Sequence, residues 1–262
     1  FDDPHFTMDP EYATAVRKVF CDWYHDGLIY RGKRIVNWCP TCGTAISDDE
    51  AEYQEEDGHL WHLRYPLVEP IDGVEYIVVA TTRPETMLGD TGVAVPEDHD
   101  KDKFVGAKVK LPIVDREIPI FSDFYVDADF GSGFVKVTPA HDPNDFAMGE
   151  RHGLEKINIF DETAHVVEGY GEFTGMSREE CREAVVAWFE EHGLLDHVED
   201  HHHSVSIATA ARVPLTVLSE QWFVAVDKLK GLRLAVTSGE VTFHPARWTQ
   251  TYLTWMENLK DW

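Results

Sequence analysis

The residues best placed to do chemistry lie in two stretches. The first, Thr81-Thr82-Arg83-Pro84-Glu85-Thr86-Met87-Leu88-Gly89-Asp90-Thr91, follows directly on the apolar run 76–80 and so leaves a sheet edge as a polar loop. Threonine hydroxyls donate and accept hydrogen bonds, and here they surround one fixed cation, Arg83, with acids close by. Such a loop can read a small polar ligand. Thr, Pro, Glu and Asp also favour ordinary turns, and on composition alone a capped turn is the better account. The second stretch, residues 130–146, reads Phe130-Gly131-Ser132-Gly133-Phe134-Val135-Lys136-Val137-Thr138-Pro139-Ala140-His141-Asp142-Pro143-Asn144-Asp145-Phe146. Its two glycines permit a close backbone approach to a ligand. Lys136 and Thr138 alternate with Val135 and Val137, which places both on one face of a strand. His141, Asp142 and Asp145 gather where that strand gives way to a helix. A purely structural reading is also open, with Asp142 or Asn144 as a cap and His141 as a satisfied half-buried histidine. As a set beside Gly-x-Gly, they read better as a binding site.

The elements that must hold these residues follow from periodicity. Residues 10–27 predict a helix, with Asp9 as cap, Pro10 in the first turn, and Tyr12, Val16, Val19, Phe20 and Trp23 at helical spacing. An extended stretch, 28–38, leads to the tight knuckle Cys39-Pro40-Thr41-Cys42-Gly43. The acidic segment 48–58 reads as a connection into a second body. Strands are predicted over 76–80, 92–95, 108–114 and 134–138, with Gly, Pro and Asp between them, which suggests a compact β-barrel. A helix is predicted over 144–152, closed by Gly153. Another is predicted over 177–192, with Ser177 and Glu180 as a capping box and Cys181, Val185, Trp188 and Phe189 as its buried stripe. Strand returns near 221–226, and a Trp- and Tyr-rich helix is predicted over 247–259. The expected division is a flanking helix and ribbon over 1–57, a central β-rich body over 58–203, and a returning stalk with a helical segment over 204–262. The fold class is α+β.

With 262 residues, 43% hydrophobic, the chain can bury a substantial core. No apolar run reaches the ~18 residues of a membrane span, and four cysteines including one Cys-x-x-Cys do not make a secreted disulfide framework. A reducing, cytoplasmic setting is expected. The start Phe1-Asp2-Asp3-Pro4 reads as interior sequence, so a fragment of a longer protein is expected. The net charge of −25, from 23 basic and 48 acidic residues, argues against broad nucleic-acid binding, since phosphate contacts need clustered Lys and Arg. Contact with a nucleic acid would have to be local or shared with other parts of a parent protein.

The two polar stretches together resemble the editing domain of valyl-tRNA synthetases, class I enzymes. The resemblance extends to Thr7-Met8-Asp9-Pro10, Gly27-Leu28-Ile29-Tyr30-Arg31-Gly32, Val36-Asn37-Trp38-Cys39-Pro40 and Ser219-Glu220-Gln221-Trp222-Phe223-Val224, and so covers essentially the whole chain. It implies a β-barrel-like editing domain with flanking helices and a β-ribbon stalk. Arg83 within Thr-Thr-Arg-Pro-Glu-Thr disfavours the sister isoleucine enzyme, and Glu85, Lys136 and Asp142-Pro143-Asn144-Asp145 disfavour the leucine enzyme. The sequence contains neither His-Ile-Gly-His nor Lys-Met-Ser-Lys-Ser, so ATP would serve only a synthetic site on the parent.

The resemblance implies hydrolysis of threonine wrongly esterified to the 3′ end of valine tRNA, without a cofactor. Valine and threonine are near-isosteres, and an apolar pocket rejects the added hydroxyl weakly, which is the established case of this very enzyme. A second site that hydrogen-bonds the hydroxyl would leave buried groups unpaired with valine. By resemblance, Asp145 holds the α-ammonium, with Asp142, Lys136 and Thr86 beside it as the catalytic set. Thr81, Thr82, Arg83, Glu85, Thr138, Phe130 and His141 bind substrate. No nucleophile with a paired base stands out, so a positioned water is expected to attack. The implied partners are the tRNA end and the rest of the parent synthetase, with no membrane and a monomeric state. Two competing readings are an acidic β-barrel spacer, which needs neither polar stretch, and a zinc-ribbon nucleic-acid module resting on Cys39 and Cys42 alone. Those cysteines have half a zinc-site spacing, but 204–212 brings no cysteine to complete it; Cys21 and Cys181 read as core, and His201-His202-His203 as a solvent turn. Metal is therefore not expected.

Overall fold

β-Branched and aromatic residues between 60 and 140 commit that stretch to strands, and the polar segments between them set the turns. The computed structural model describes residues 6–46, 50–97, 100–128, 131–208, 215–229, 231–259 and 261–262. In chain order its elements are α1 (Pro10–His25), β1 (Ile29–Cys39), β2 (Thr44–Ile46), β3 (Ala51–Ile71), β4 (Val74–Thr81), β5 (Gly92–Val95), β6 (Lys108–Leu111), β7 (Arg116–Ser122), β8 (Val135–Val137), α2 (Pro143–His152), α3 (Arg178–Glu191), β9 (Leu195–Ala208), β10 (Leu215–Val224), α4 (Gly231–Thr237) and α5 (Trp248–Asn258). Two compact units result, Phe1–Arg34 with Glu220–Trp262, and Ile35–Ser219.

The larger unit is organised on β3. This 21-residue strand pairs antiparallel with β4, with β6 at Leu67↔Val109, and with β9 from Ala51↔Ala208 to Leu63↔Leu195. Asp72 and Gly73 join β3 to β4 with φ of 50° and 79°. Two consecutive positive φ values make the two-residue turn whose twist suits a hairpin. The path continues as β4-β3-β6-β7-β5-β8, with β5 and β7 parallel and the other pairs antiparallel. The sheet curls until its terminal strands, β4 and β8, come close.

Inside the curl lie Leu63, Tyr65, Val79, Met87, Leu88, Val93, Val109, Leu111, Ile118 and Ile120. Alternation delivers them: in β6 only Val109 and Leu111 are buried, while Lys108 and Lys110 face solvent. Helix α3 adds Cys181, Val185 and Phe189 to the same core, while Trp188 is only half-buried. Removing a side chain the size of Leu or Phe from water contributes roughly 1.5–3 kcal/mol. The Ser177–Glu180 capping box starts α3 as the sequence predicts.

Several expectations change. The segment 51–58 is not a connection but the first part of β3, and 195–208, with its three consecutive histidines, is a strand and not a solvent turn. Each of those histidines finds a partner residue across the ladder: Gly58↔His201, Asp57↔His202 and Glu56↔His203, with His202 Nδ1 2.8 Å from Asp57 Oδ1. The expected boundaries at 57/58 and 203/204 therefore fall within one continuous ladder. β6 ends at Leu111 and not 114, because the chain turns there with Ile113 and Asp115 at positive φ.

In the smaller unit, α1 begins at Pro10, but Asp9 does not cap it. Its carboxylate instead accepts from Phe6 N at 2.9 Å, ahead of the helix. The apolar stripe of α1 is exposed along its length, and Cys21 is exposed with it, against the expectation of a core position. Trp222 from β10 packs edge-on against Phe20 and Tyr24.

Candidate functional site

The two polar stretches meet where β8 runs into α2. Asp142 caps α2, accepting from Asn144 N at 2.8 Å and Asp145 N at 3.2 Å. The far end of the helix is fixed by Arg151, which forks onto both oxygens of buried Asp123 at 3.0 and 2.8 Å, and Gly153 closes the helix in the left-handed region. A helix held at both ends presents its first-turn residues at fixed positions. Asp145 is one of these.

Beneath the junction lies a closed polar cluster. Lys136 Nζ donates to Thr86 Oγ1 (2.7 Å), Thr138 Oγ1 (2.6 Å) and Asp90 Oδ1 (3.1 Å), which uses all three ammonium protons. The Thr138 hydroxyl donates to Asp90 Oδ1 at 2.6 Å and the Tyr65 hydroxyl to Asp90 Oδ2 at 2.8 Å. Burial first, and then Asp90, push the Tyr65 phenol well above its ordinary value, so it stays a donor. The Thr86 hydroxyl is spent on Arg83 O at 2.9 Å. Asp90 is fully buried and Lys136 nearly so. Taking two charges from water costs several kcal/mol per ion, which their attraction offsets only when further hydrogen bonds engage them; here all three ammonium protons are used and Asp90 accepts three bonds.

Glu85 and His141 are likewise committed within the chain. Glu85, fully buried, receives both arms of Arg182 from α3 at 2.8 and 2.7 Å, which ties the 81–91 loop to that helix. His141 Nδ1 lies 3.1 Å from Thr216 O, and Nε2 accepts from Ile159 N at 3.0 Å. That pairing puts the ring proton on Nδ1. Burial drives its proton affinity down to about 3, so the ring is neutral. With both nitrogens used, His141 joins three segments of backbone and presents no atom to a ligand.

The groups nearer solvent are arranged otherwise. Arg83 donates to His141 O at 3.0 Å and to Asp142 Oδ2 at 2.9 Å, and its backbone N–H donates to Thr81 Oγ1 at 3.0 Å. Asp145 Oδ2 accepts from Thr138 N at 2.8 Å, while among the described residues Oδ1 takes no hydrogen bond. Burial, with the Asp142 charge adding to it, raises the Asp145 carboxyl to about 7 against the opposing pull of Lys136, the Thr138 N–H and Arg83. A buried carboxyl in this state gains from any further cation that reaches its free oxygen.

A family model described as tRNA synthetases class I (I, L, M and V) matches residues 1–262. The chain belongs to the class I tRNA synthetase family. Similar proteins include the valine–tRNA ligases of Thermotoga maritima, 51% identical over 260 residues, and Clostridium tetani, 50% identical over 260 residues. Each match covers 98% of this chain, and 30% and 29% of the relative respectively. The chain thus spans under a third of the length of these relatives. It is a region of the valyl-tRNA synthetase branch of the family. A solved LeuRS–tRNA–LeuAMS complex from Agrobacterium radiobacter K84 is also similar, at 19% identity and a TM-score of 0.43, over 82% of this chain and 34% of that one.

Within this synthetase region, then, Thr81, Arg83, Thr86, Lys136, Thr138, Asp142 and Asp145 come together at one junction, with half-buried Thr82 at its rim. Glu85 and His141 support it from behind, and Phe130 lies outside the described residues. Sequence reasoning did not single out Asp90, Tyr65 or Arg182. Asp90 had a usable signal, since a lysine on the inward face of a β-strand needs a counterion and the adjoining loop supplies one. A cavity of about 550 Å³ lined by Arg116, Tyr170 and Trp188, among others, holds none of the expected site residues. At the knuckle, Cys42 N donates to Cys39 Sγ at 3.1 Å and Gly43 N to Cys39 O at 2.8 Å, with both thiols free. Residues 209–214 of the returning stretch lie outside the described residues.

Proposed function

We propose that this synthetase region is an aminoacyl-tRNA deacylase, which hydrolyses the ester between threonine and the terminal ribose of valine tRNA. The observation that carries the reading is Asp145. One carboxylate oxygen is pinned by Thr138 N–H, the other has no hydrogen-bond partner among the described residues, and burial together with the Asp142 charge raises the acid to about 7 in spite of Lys136 and Arg83. An α-ammonium group supplies that partner through a charge-assisted hydrogen bond. Binding of the ammonium then fixes the acyl carbon relative to β8 and the 81–91 loop.

Lys136, Thr86, Thr138 and Asp90 act as positioning residues, because their mutual bonds fix the separation of loop and strand. Arg83 and Asp142 shape the rim, where Thr82 can meet the threonine hydroxyl or the terminal adenosine. A water oxygen adds to the ester carbonyl and the acyl–oxygen bond to the ribose breaks. The ribose oxygen takes one of the water's two protons, and threonine leaves as its carboxylate with the other released to solvent. Selectivity follows from asymmetry, since valine cannot satisfy groups placed for a hydroxyl.

The test is deacylation by the 262-residue chain of threonyl- and valyl-tRNA prepared on the same tRNA. Threonyl ester should be cleaved in strong preference, and Asp145→Ala should abolish cleavage. Equal rates on the two esters would remove the selectivity claim, and an active Asp145→Ala would remove the ammonium contact. No cleavage at all by the parent chain would favour the non-catalytic spacer.

A further inference from the structure

On the β3–β9 ladder, three potential metal ligands stand together on residues that the proposed deacylase does not use. His62 on β3 pairs directly with His197 on β9, and Glu199 lies two residues along, on the same face as His197. The imidazole rings stack at 3.8 Å between centroids with 15° between planes. Glu199 Oε1 is 3.0 Å from His197 Nε2 and 3.5 Å from His62 Nε2. One ligand atom from each of the three lies within 4.8 Å of the others.

A second observation is independent of that clustering. His62 is only 5% exposed, and its Nε2 is the one buried side-chain nitrogen or oxygen among the described residues without a hydrogen-bond partner. An unpaired buried polar atom costs about 1–3 kcal/mol, and such an atom calls for an explanation. The sequence around it is also irregular. The ladder slips between His62↔His197 and Leu63↔Leu195, so Asp196 is an extra residue that bulges from β9. The bulge brings Asp196 Oδ2 to 2.8 Å from His197 Nδ1, while Oδ1 takes the Arg64 guanidinium at 2.6–2.8 Å. A carboxylate behind one imidazole nitrogen, with the other nitrogen facing two further donors, is the outer-shell pattern of metal-bound histidines.

We propose that His62, His197 and Glu199 bind a divalent transition-metal ion of the zinc type, with Asp196 orienting His197. Two imidazole nitrogens and one carboxylate oxygen suit that class of ion, leaving a further position for water. Ligand–metal bonds of about 2.0–2.2 Å in tetrahedral geometry put donor atoms roughly 3.3–3.5 Å apart. The 3.5 Å contact from His62 to Glu199 falls at that spacing and the 3.0 Å contact from His197 is shorter, and the rings must rotate out of their present stack to aim both nitrogens at a common centre.

The experiment is calorimetric titration of Zn2+ into the untagged, chelator-stripped 262-residue chain. Cys39→Ser and Cys42→Ser are present throughout to remove thiolate ligands. One ion per chain is expected, weakened at least a hundredfold by His197→Gln, whose exposed side chain is not needed for folding, and by His62→Gln if that variant folds. Asp196→Asn should weaken binding about tenfold through loss of the outer-shell carboxylate. His201→Gln with His203→Gln, on the same strand, should leave the site intact. The proposal is overturned by any of three results: no binding up to about 1 mM Zn2+, unchanged binding in His197→Gln, or loss of binding only in the His201/His203 variant.

Discussion

Lys136 and Asp145 are both nearly buried at the same strand–helix junction, yet their surroundings differ in kind. The lysine has three acceptors for its three protons, and its counterion Asp90 is filled in turn by Tyr65 and Thr138. The aspartate has one backbone donor, an oxygen with no hydrogen bond among the described residues, and a like charge nearby. The lesson concerns division of labour within a single polar cluster. Groups whose bonding is complete hold the geometry, and a group whose bonding is incomplete is the one the proposed function assigns to the substrate.

Substitutions can break that comparison. The largest stability effect is expected from Lys136→Met, which leaves Asp90 charged and buried; the loss should be about 3–5 kcal/mol in urea unfolding. Arg182→Ala strands Glu85 in the same way, though the ligand-facing rim is untouched. A loss under about 1 kcal/mol in either variant would mean the closed cluster does not hold the junction.

Asp145→Asn should do the opposite. Deacylation of threonyl-tRNA should fall at least a hundredfold, while stability at neutral pH stays level or rises. In the parent, kcat/KM should climb about tenfold per pH unit below 7 and level off above it, as the free carboxyl ionises. A flat profile through pH 5–8 would separate Asp145 from the ammonium.

Stability against pH sharpens the contrast. Asp145 is raised from 3.8 to about 7, so the folded chain binds the extra proton in that window and stability from this residue falls as pH rises through it. His141 is depressed from 6.5 to about 3, so its contribution is present above 6.5 and is lost as pH drops toward 3. The two slopes oppose each other between about pH 4 and 6.5. Asp145→Asn should therefore steepen the rise of melting temperature over that range, and an unchanged slope would show that the carboxyl does not titrate there.

The smallest effect belongs to Arg83→Ala. Its ion pair with Asp142 is about a third exposed on both sides, which limits the stability change to about 0–1 kcal/mol. A rise of several-fold in KM for tRNA is the expected signature, and an unchanged KM would place Arg83 with the supporting groups.

Short-range features were legible in the sequence. The strand β5, the capping box of α3, the helix closed by Gly153, and the shared face of Lys136 and Thr138 all depend on residues a few positions apart. What sequence could not supply was distance along the chain. Glu85 looked like a ligand-reading acid because nothing local reveals Arg182, 97 positions away. His141 looked available because its partners, Thr216 O and Ile159 N, are backbone groups on remote segments. The histidine run 201–203 looked like a turn because its pairing partner lies beyond the whole β-rich body.

That last separation has a kinetic side. The rungs joining β3 to β9 run from Leu63↔Leu195 to Ala51↔Ala208, so each closes a loop of roughly 130–160 residues. Contacts so far apart in sequence slow folding, and zipping cannot begin until the intervening strands have collapsed enough to bring the two edges together. In a protein made from its N-terminus, residues 51–60 of β3 must wait without a strand partner until β9 has been synthesised. The acidic run Glu55-Glu56-Asp57 discourages that waiting segment from recruiting another copy of itself.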